Sequence, residues 1–165
     1  MRSASFAARR MAPLPRFSAS VFAVAAPRAY TAVACASTKL FTKSHEWVEW
    51  DEAAKTAVLG LSNHAVKELN DITYIDLPAV GTKVEQDADI CSIESVKAVV
   101  PMKAAINGTI SEINSSYEDA ANLAKLKDGG AEGEAGWILK LTGVSGDRSL
   151  LMTQEEFAKF IEAEH

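Results

Sequence analysis

The sequence predicts a small, mainly β domain: a barrel or sandwich of short strands, with short helices beside it and a helix packed outside it at the C-terminal end. Three observations predict this. Short runs of alternating apolar and polar residues follow one another at intervals of about 8–14 residues, as small barrels and sandwiches require. Near the end, Thr153-Gln154-Glu155-Glu156 forms a capping box before Phe157, Phe160 and Ile161, which share one face of a helix. With 165 residues, 48% hydrophobic and 24% charged, the chain has room for one core and an appendage, and is neither collagen, coiled coil nor wholly disordered.

Each element follows from local pattern. Residues 56–61, Thr-Ala-Val-Leu-Gly-Leu, read as a strand, and Asn63 as the cap of a short helix through Asn70. Residues 71–77 alternate again, with Thr73, Ile75 and Leu77 on one face and Ile72, Tyr74 and Asp76 on the other, before Pro78 ends the run. In residues 89–94, Cys91 and Ile93 share a face opposite Ser92 and Glu94. Residues 105–114 hold a further strand, in which Gly108 reads as a bulge or twist. Ser115-Ser116-Tyr117-Glu118 is a second capping box, opening a helix to about Leu126. The Gly- and acid-rich residues 128–136 read as a loop, and residues 137–141 as the last strand.

The charge is unevenly placed. The whole chain carries −5, yet residues 1–38 hold five Arg, no Lys and no acid. Without them, 12 basic residues face 22 acidic ones, a net of −10. That excludes nucleic acid and an anionic membrane as partners of the folded part, because phosphate binding needs clustered cations. An Arg-, Ser- and Ala-rich, acid-free start is the composition of a mitochondrial transit peptide. Residues 1–38 are therefore read as that peptide, cut between Tyr30 and Thr38 after Arg28-Ala29-Tyr30, and residues 39–165 as the folded domain. The expected location is the mitochondrial matrix. A membrane span needs roughly 20 apolar residues, and only eleven separate Arg16 from Arg28. A secretory signal built on residues 21–26 is interrupted by Pro27-Arg28. Cys35 lies in or beside the leader, leaving Cys91 without a disulfide partner, in keeping with a reducing compartment.

A catalytic set is not expected. The three histidines are His45, His64 and His165, and no serine is singled out as a nucleophile for them. No Gly-rich phosphate loop and no Cys/His zinc spacing is present. The chemistry instead points to a carrier. Two alternating runs, residues 89–94 and 98–102, flank Val96-Lys97, so a tight turn would hold Lys97 at an exposed tip. A carrier needs an amine at the end of a rigid protrusion, from which an attached group can reach several active sites. Amide formation removes the lysine charge and makes transient burial of the arm less costly.

At these residues the chain resembles the H proteins of the glycine cleavage system. The resemblance spans about residues 39–163: Ser44-His45-Glu46-Trp47-Val48, Gly60-Leu61-Ser62-Asn63-His64-Ala65, Asp71-Ile72 with Asp76-Leu77-Pro78, Gly81-Thr82-Lys83-Val84, Glu94-Ser95-Val96-Lys97-Ala98, Gly108, Glu112 to Asn114, and Gly136-Trp137 with Lys140. It implies a hybrid barrel-sandwich of the lipoyl/biotinyl-carrier type, with peripheral helices. It implies lipoate in amide linkage to Lys97, recognised through Glu94, Ser95 and Val96. It implies four partners: a pyridoxal-phosphate glycine decarboxylase that loads an aminomethyl group, a tetrahydrofolate-dependent aminomethyltransferase that unloads it, dihydrolipoamide dehydrogenase, and lipoylating enzymes. The carrier itself catalyses none of these steps. The resemblance also implies a cleft sheltering the loaded arm, with Ser44 and Glu46 matching positions that line it.

The chain departs from the family pattern after the lysine, where Val99-Val100-Pro101 replaces small or polar residues and puts Pro101 where an acid is usual. Ala105 replaces a usual Pro, and residues 131–137 lack a usual Pro-Tyr. Two other readings stand beside the carrier of glycine cleavage. One is a biotinyl or acyltransferase-type swinging arm; biotin sites favour Met on both sides of the lysine, whereas Lys97 has Val96 and Ala98. The other is a paralogue whose lysine is never modified.

Overall fold

Nine strands form two antiparallel sheets in the computed structural model, which describes residues 38–127 and 130–164. The predicted leader lies outside the described residues except for Thr38. The strands are β1 (Lys39–Phe41), β2 (Glu46–Asp51), β3 (Thr56–Leu61), β4 (Ile72–Asp76), β5 (Lys83–Val84), β6 (Asp89–Ser95), β7 (Val99–Lys103), β8 (Asn107–Ile113) and β9 (Trp137–Ser145). Three helices are described: α1 (Asn63–Leu69), α2 (Ala120–Lys127) and α3 (Gln154–Glu164). One sheet has the order β1-β2-β3-β9-β8-β5 and the other β4-β6-β7. This is the mainly β barrel-sandwich, with peripheral helices, that the sequence predicts.

One core joins the sheets. Val48, Leu59, Ile110, Leu139 and Leu141 of the large sheet meet Ile75, Ile93 and Met102 of the small one. Ala65 and Val66 of α1 and Leu123 and Leu126 of α2 cover the same core. A second cluster lies under α3, where the Phe157 ring stacks on Phe41 with centroids 4.5 Å apart, and Trp47 is buried beside them. Phe160 and Ile161 pack against it, so the capping-box helix docks by the face its spacing predicts. The box itself forms: Thr153 N–H donates to Glu156 Oε2 at 2.8 Å, and Glu156 N–H to Thr153 Oγ1 at 3.4 Å. No described helix is long and apolar enough to cross a membrane.

Local pattern and structure part company at several points. The cap of α1 is Ser62 rather than Asn63: buried Ser62 accepts the Ala65 N–H at 3.1 Å, while the Asn63 N–H donates to Glu132 Oε1. In β4 a bulge between Ile72 and Tyr74 breaks the alternation. Ile72 therefore reaches the core together with Ile75 and Leu77, which share the predicted face, and Tyr74 is half exposed. The predicted single helix from Ser115 is two elements. Asn114 caps a 3-10 turn at Ser115–Glu118, and extended Asp119 then separates it from α2. The tether is Tyr117, whose buried side chain donates its hydroxyl to Ala135 O at 2.6 Å. The strand expected at 105–114 is Asn107–Ile113, with register shifts beside Gly108 and Ser111. The last strand runs on to Ser145, because it pairs with β3 on one side and β8 on the other. The loop expected at 128–136 contains a short 3-10 turn, Gly130–Glu132.

Gly60 marks the tightest seam of the large sheet. A Cβ there would lie 2.7 Å from both the Gly136 carbonyl oxygen and the Trp47 ring. Trp47 cannot retreat, since its Nε1–H donates to Ala131 O at 2.8 Å. Gly60→Ala is therefore expected to destabilise the fold by about 1–3 kcal/mol, measured by urea unfolding beside the parent chain.

Candidate functional site

The hairpin of β6 and β7 carries Lys97 at its tip. Glu94 pairs with Val99, and residues 96–98 make the turn. Ser95 holds that turn together. Its backbone N–H donates to Ala98 O at 2.8 Å, its hydroxyl donates to the same oxygen at 2.9 Å, and Oγ accepts the N–H groups of Ala98 and Lys97 at 3.1 and 3.3 Å. A serine hydroxyl that satisfies turn backbone in this way fixes the path of the chain without using the neighbouring side chains. The tip is also pinned sideways: Val96 N–H donates to Asp71 O at 3.1 Å, and the Thr73 hydroxyl to Glu94 O at 3.2 Å. Asp71 is in turn paired with Lys127 at the end of α2.

Lys97 is exposed, and its amine makes no hydrogen bond or ion pair with the described residues. Val96 and Val99 beside it are 74% and 63% exposed, and Glu94 is exposed too. Lys97, Glu94, Val96 and Val99 thus place an amine, an acid and two apolar side chains in the open at the tip, while Ser95 is turned into the turn itself. Pro101 sits on β7, an edge strand of its sheet. Edge strands accept proline because a missing N–H there costs no ladder bond.

Ser44 and Glu46 are at the other end of the hairpin. From Val99 to Lys103, β7 covers about 13 Å. Ser44 lines a cleft of about 190 Å³ with Thr42, Gln86, Asp87, Lys103 and Leu150. Glu46 is not among the lining residues. It is 1% exposed, and its carboxylate accepts the Lys103 N–H at 2.8 Å and the Thr42 hydroxyl. Glu46 therefore ties β2 of one sheet to β7 of the other. Burial pushes its pKa above the ordinary 4.5, and the bonds from Thr42 and Lys103 oppose that rise. Asp87 pairs with Lys103 Nζ at 3.2 Å on the rim of the cleft. A larger groove of about 480 Å³, lined by His64, Lys67, Gln154 and Phe157 among others, contains none of the predicted site residues.

Thr42, Thr73, Asp71 and the Lys103 backbone were not legible as site residues. Cys91, under the hairpin, is buried, and burial together with the Asp76 and Glu46 charges pushes its thiol up to about 12. A thiol so held is not a nucleophile at neutral pH.

The model of the family described as glycine cleavage H-protein matches residues 39–164. The chain belongs to that family. Among the curated relatives of this H-protein-family chain, the glycine cleavage system H protein of Thermotoga maritima is 37% identical over 123 residues, covering 74% of this chain and 94% of its own length. The mitochondrial glycine cleavage system H protein 2 of Arabidopsis thaliana is 31% identical over 140 residues, covering 84% and 85%. The crystal structure of a glycine cleavage system H protein from Mycobacterium marinum superposes with a TM-score of 0.64 at 27% identity, covering 76% of this chain and 98% of that one. The family resemblance and the fold read from the sequence both stand.

The buried carboxylate gives a test with a defined sign. The folded state holds the Glu46 proton more tightly than the unfolded chain, so ionising it costs stability as pH rises from below 4.5 through its raised value. Glutamine keeps an oxygen for the Lys103 N–H and carries no charge. Glu46→Gln is expected to gain stability relative to the parent chain as pH rises from acidic to neutral, read from paired urea unfolding curves. Glu46→Ala leaves the Lys103 N–H without its acceptor and should cost about 1–3 kcal/mol.

Proposed function

We propose that this chain is a lipoyl carrier of the glycine cleavage system, with lipoate in amide linkage to Nζ of Lys97. The observation that carries the reading is the position of Lys97: an exposed, unengaged amine at the tip of a pinned hairpin, within Glu94-Ser95-Val96-Lys97-Ala98, in a chain of this family. When bound, lipoate supplies a disulfide that takes up and gives up an aminomethyl group. The protein's own residues hold and present it. Ser95 sets the turn, and the side chains of Glu94, Val96 and Val99 are exposed for the lipoylating enzymes to read. The raised pKa of Cys91 keeps a competing thiolate away from a disulfide on the arm.

The cleft at the hairpin base is the proposed shelter for the loaded arm. Ser44 offers it a hydroxyl and Asp87 a carboxylate. Glu46 contributes from beneath, by holding the Thr42 and Lys103 walls in place. Asp87 thereby supplies the acid that Pro101 does not. The proposed partners are glycine decarboxylase, aminomethyltransferase, dihydrolipoamide dehydrogenase and the lipoylating enzymes. Catalysis belongs to them and not to this chain, which acts as a carrier component. We further propose that residues 1–38 are a transit peptide and that the carrier domain works in the mitochondrial matrix. The acid-free, Arg-rich leader, the family match beginning at Lys39 and the Arabidopsis relative described as mitochondrial support this, while the Thermotoga relative is bacterial.

Mass analysis of the Lys97 peptide, taken from the native organelle, tests the attachment. A lipoyl increment is expected. An unmodified Lys97 in cells with active lipoylation would favour the unmodified paralogue, and a biotinyl increment on Lys103, which has Met102 on one side as biotin sites favour, would favour another swinging arm. Lys97→Arg should change stability by less than about 0.5 kcal/mol and abolish glycine–bicarbonate exchange in a reconstituted system.

A further inference from the structure

His45, His64 and Glu164 meet from three separate elements. His45 lies in the turn between β1 and β2, His64 in the first turn of α1, and Glu164 at the end of α3. One ligand atom from each falls within 4.8 Å of the other two. His45 Nε2 stands 3.4 Å from Glu164 Oε2, about the separation of neighbouring donors in a tetrahedral zinc site. The imidazole rings lie with centroids 4.9 Å apart, tilted by 43°. Glu68, four residues after His64, shares its face of α1 and interacts electrostatically with His45.

The turn that aims His45 is held under strain. Its φ of 71° lies in the left-handed region that a residue with a Cβ rarely adopts. Its carbonyl accepts the Ser62 N–H at 2.8 Å and its N–H donates to Thr42 O at 3.3 Å, so the backbone is locked against the start of α1. Phe157 and Phe160 flank the ring at 5.7 and 6.0 Å. Within this setting His45 Nδ1 is buried with no hydrogen-bond partner among the described residues.

We propose that His45, His64 and Glu164 form a binding site for a divalent transition-metal ion of the zinc type. Two imidazoles with one carboxylate select zinc-type ions over magnesium and calcium, which favour all-oxygen sites. The rigid members are the two histidines. Glu164, at the end of α3 and 43% exposed in its side chain, has the freedom to close the remaining gap. The role of such an ion is structural: it would fasten the end of α3 to the β1–β2 turn and to α1. The site is separate from the Lys97 hairpin and does not depend on lipoate.

The test is zinc titration of the full chain against a chelating dye, in parallel with His64→Gln and Glu164→Gln. One equivalent is expected to bind, with affinity falling at least about 10–100-fold in each variant. Cobalt in place of zinc should give the strong visible bands of a four-coordinate site in the parent chain alone. Zinc should raise the melting temperature of the parent and not of the variants, whose metal-free circular dichroism stays unchanged. Zinc binding that is undetectable in the parent, or undiminished in the variants, would overturn the proposal. If His64→Gln does not fold, Glu164→Gln decides the matter, because its side chain is exposed at a helix end and carries little packing.

Discussion

The tie between the two sheets is the constraint on which the presentation of Lys97 rests. A two-stranded hairpin alone is marginal in water, and β7 is an edge with hydrogen bonds on one side only. What holds it is an inward face of Cys91, Ile93 and Met102 sunk into the common core, and the Glu46 carboxylate gripping the Lys103 backbone from the opposite sheet. The hairpin is thus anchored at its base by a buried polar bond, along its length by apolar packing, and at its tip by Ser95 and Asp71. The lysine side chain is left as the mobile part. That division, a fixed turn with a free amine, is what a covalently attached arm requires.

Using a carboxylate for the tie has a cost and a reason. Burial disfavours its charge, and the Thr42 hydroxyl and Lys103 N–H offset part of that. The two donors also come from different sheets or turns, so the bond is satisfied in one relative position of β2 and β7 only. An apolar pair would pack in several registers. The same logic runs through Trp47, whose ring fills the cluster under α3 while its N–H finds the Ala131 carbonyl. Polar atoms inside large side chains set position, and the apolar surface around them supplies most of the driving force.

The helices divide the remaining labour. α1 and α2 close the main core, and Lys127 at the end of α2 supports Asp71, which in turn holds the hairpin tip. α3 covers a second, aromatic cluster through Phe157 on Phe41, beside the antiparallel bridge of Phe41 with Met152. The turn bearing Ser44, His45 and Glu46 stands where these parts converge. Three consecutive side chains there go to three places: a cleft, a histidine pair and the buried tie.

Sequence alone determined the parts that depend on near neighbours. The strand at 56–61, the inward Cys91 and Ile93, the capping box at Thr153 and the exposed turn at Lys97 all follow from alternation, helical spacing or turn chemistry within a few residues, and the structure keeps them. The tertiary structure decided whatever needs a partner far along the chain. Glu46 meets Lys103 across 57 positions, Tyr117 is drawn to Ala135 and so splits one expected helix into two, and the bulge in β4 is set by its pairing with β6. β1, β2 and β5 were not legible as strands, because β1 and β5 are too short to show a period. β2, in turn, buries Glu46, Trp47 and Val48 consecutively, so that its apolar pattern never alternates. Local propensity is written in the sequence, but the environment that makes a carboxylate a buried tie exists only once two sheets have closed around it.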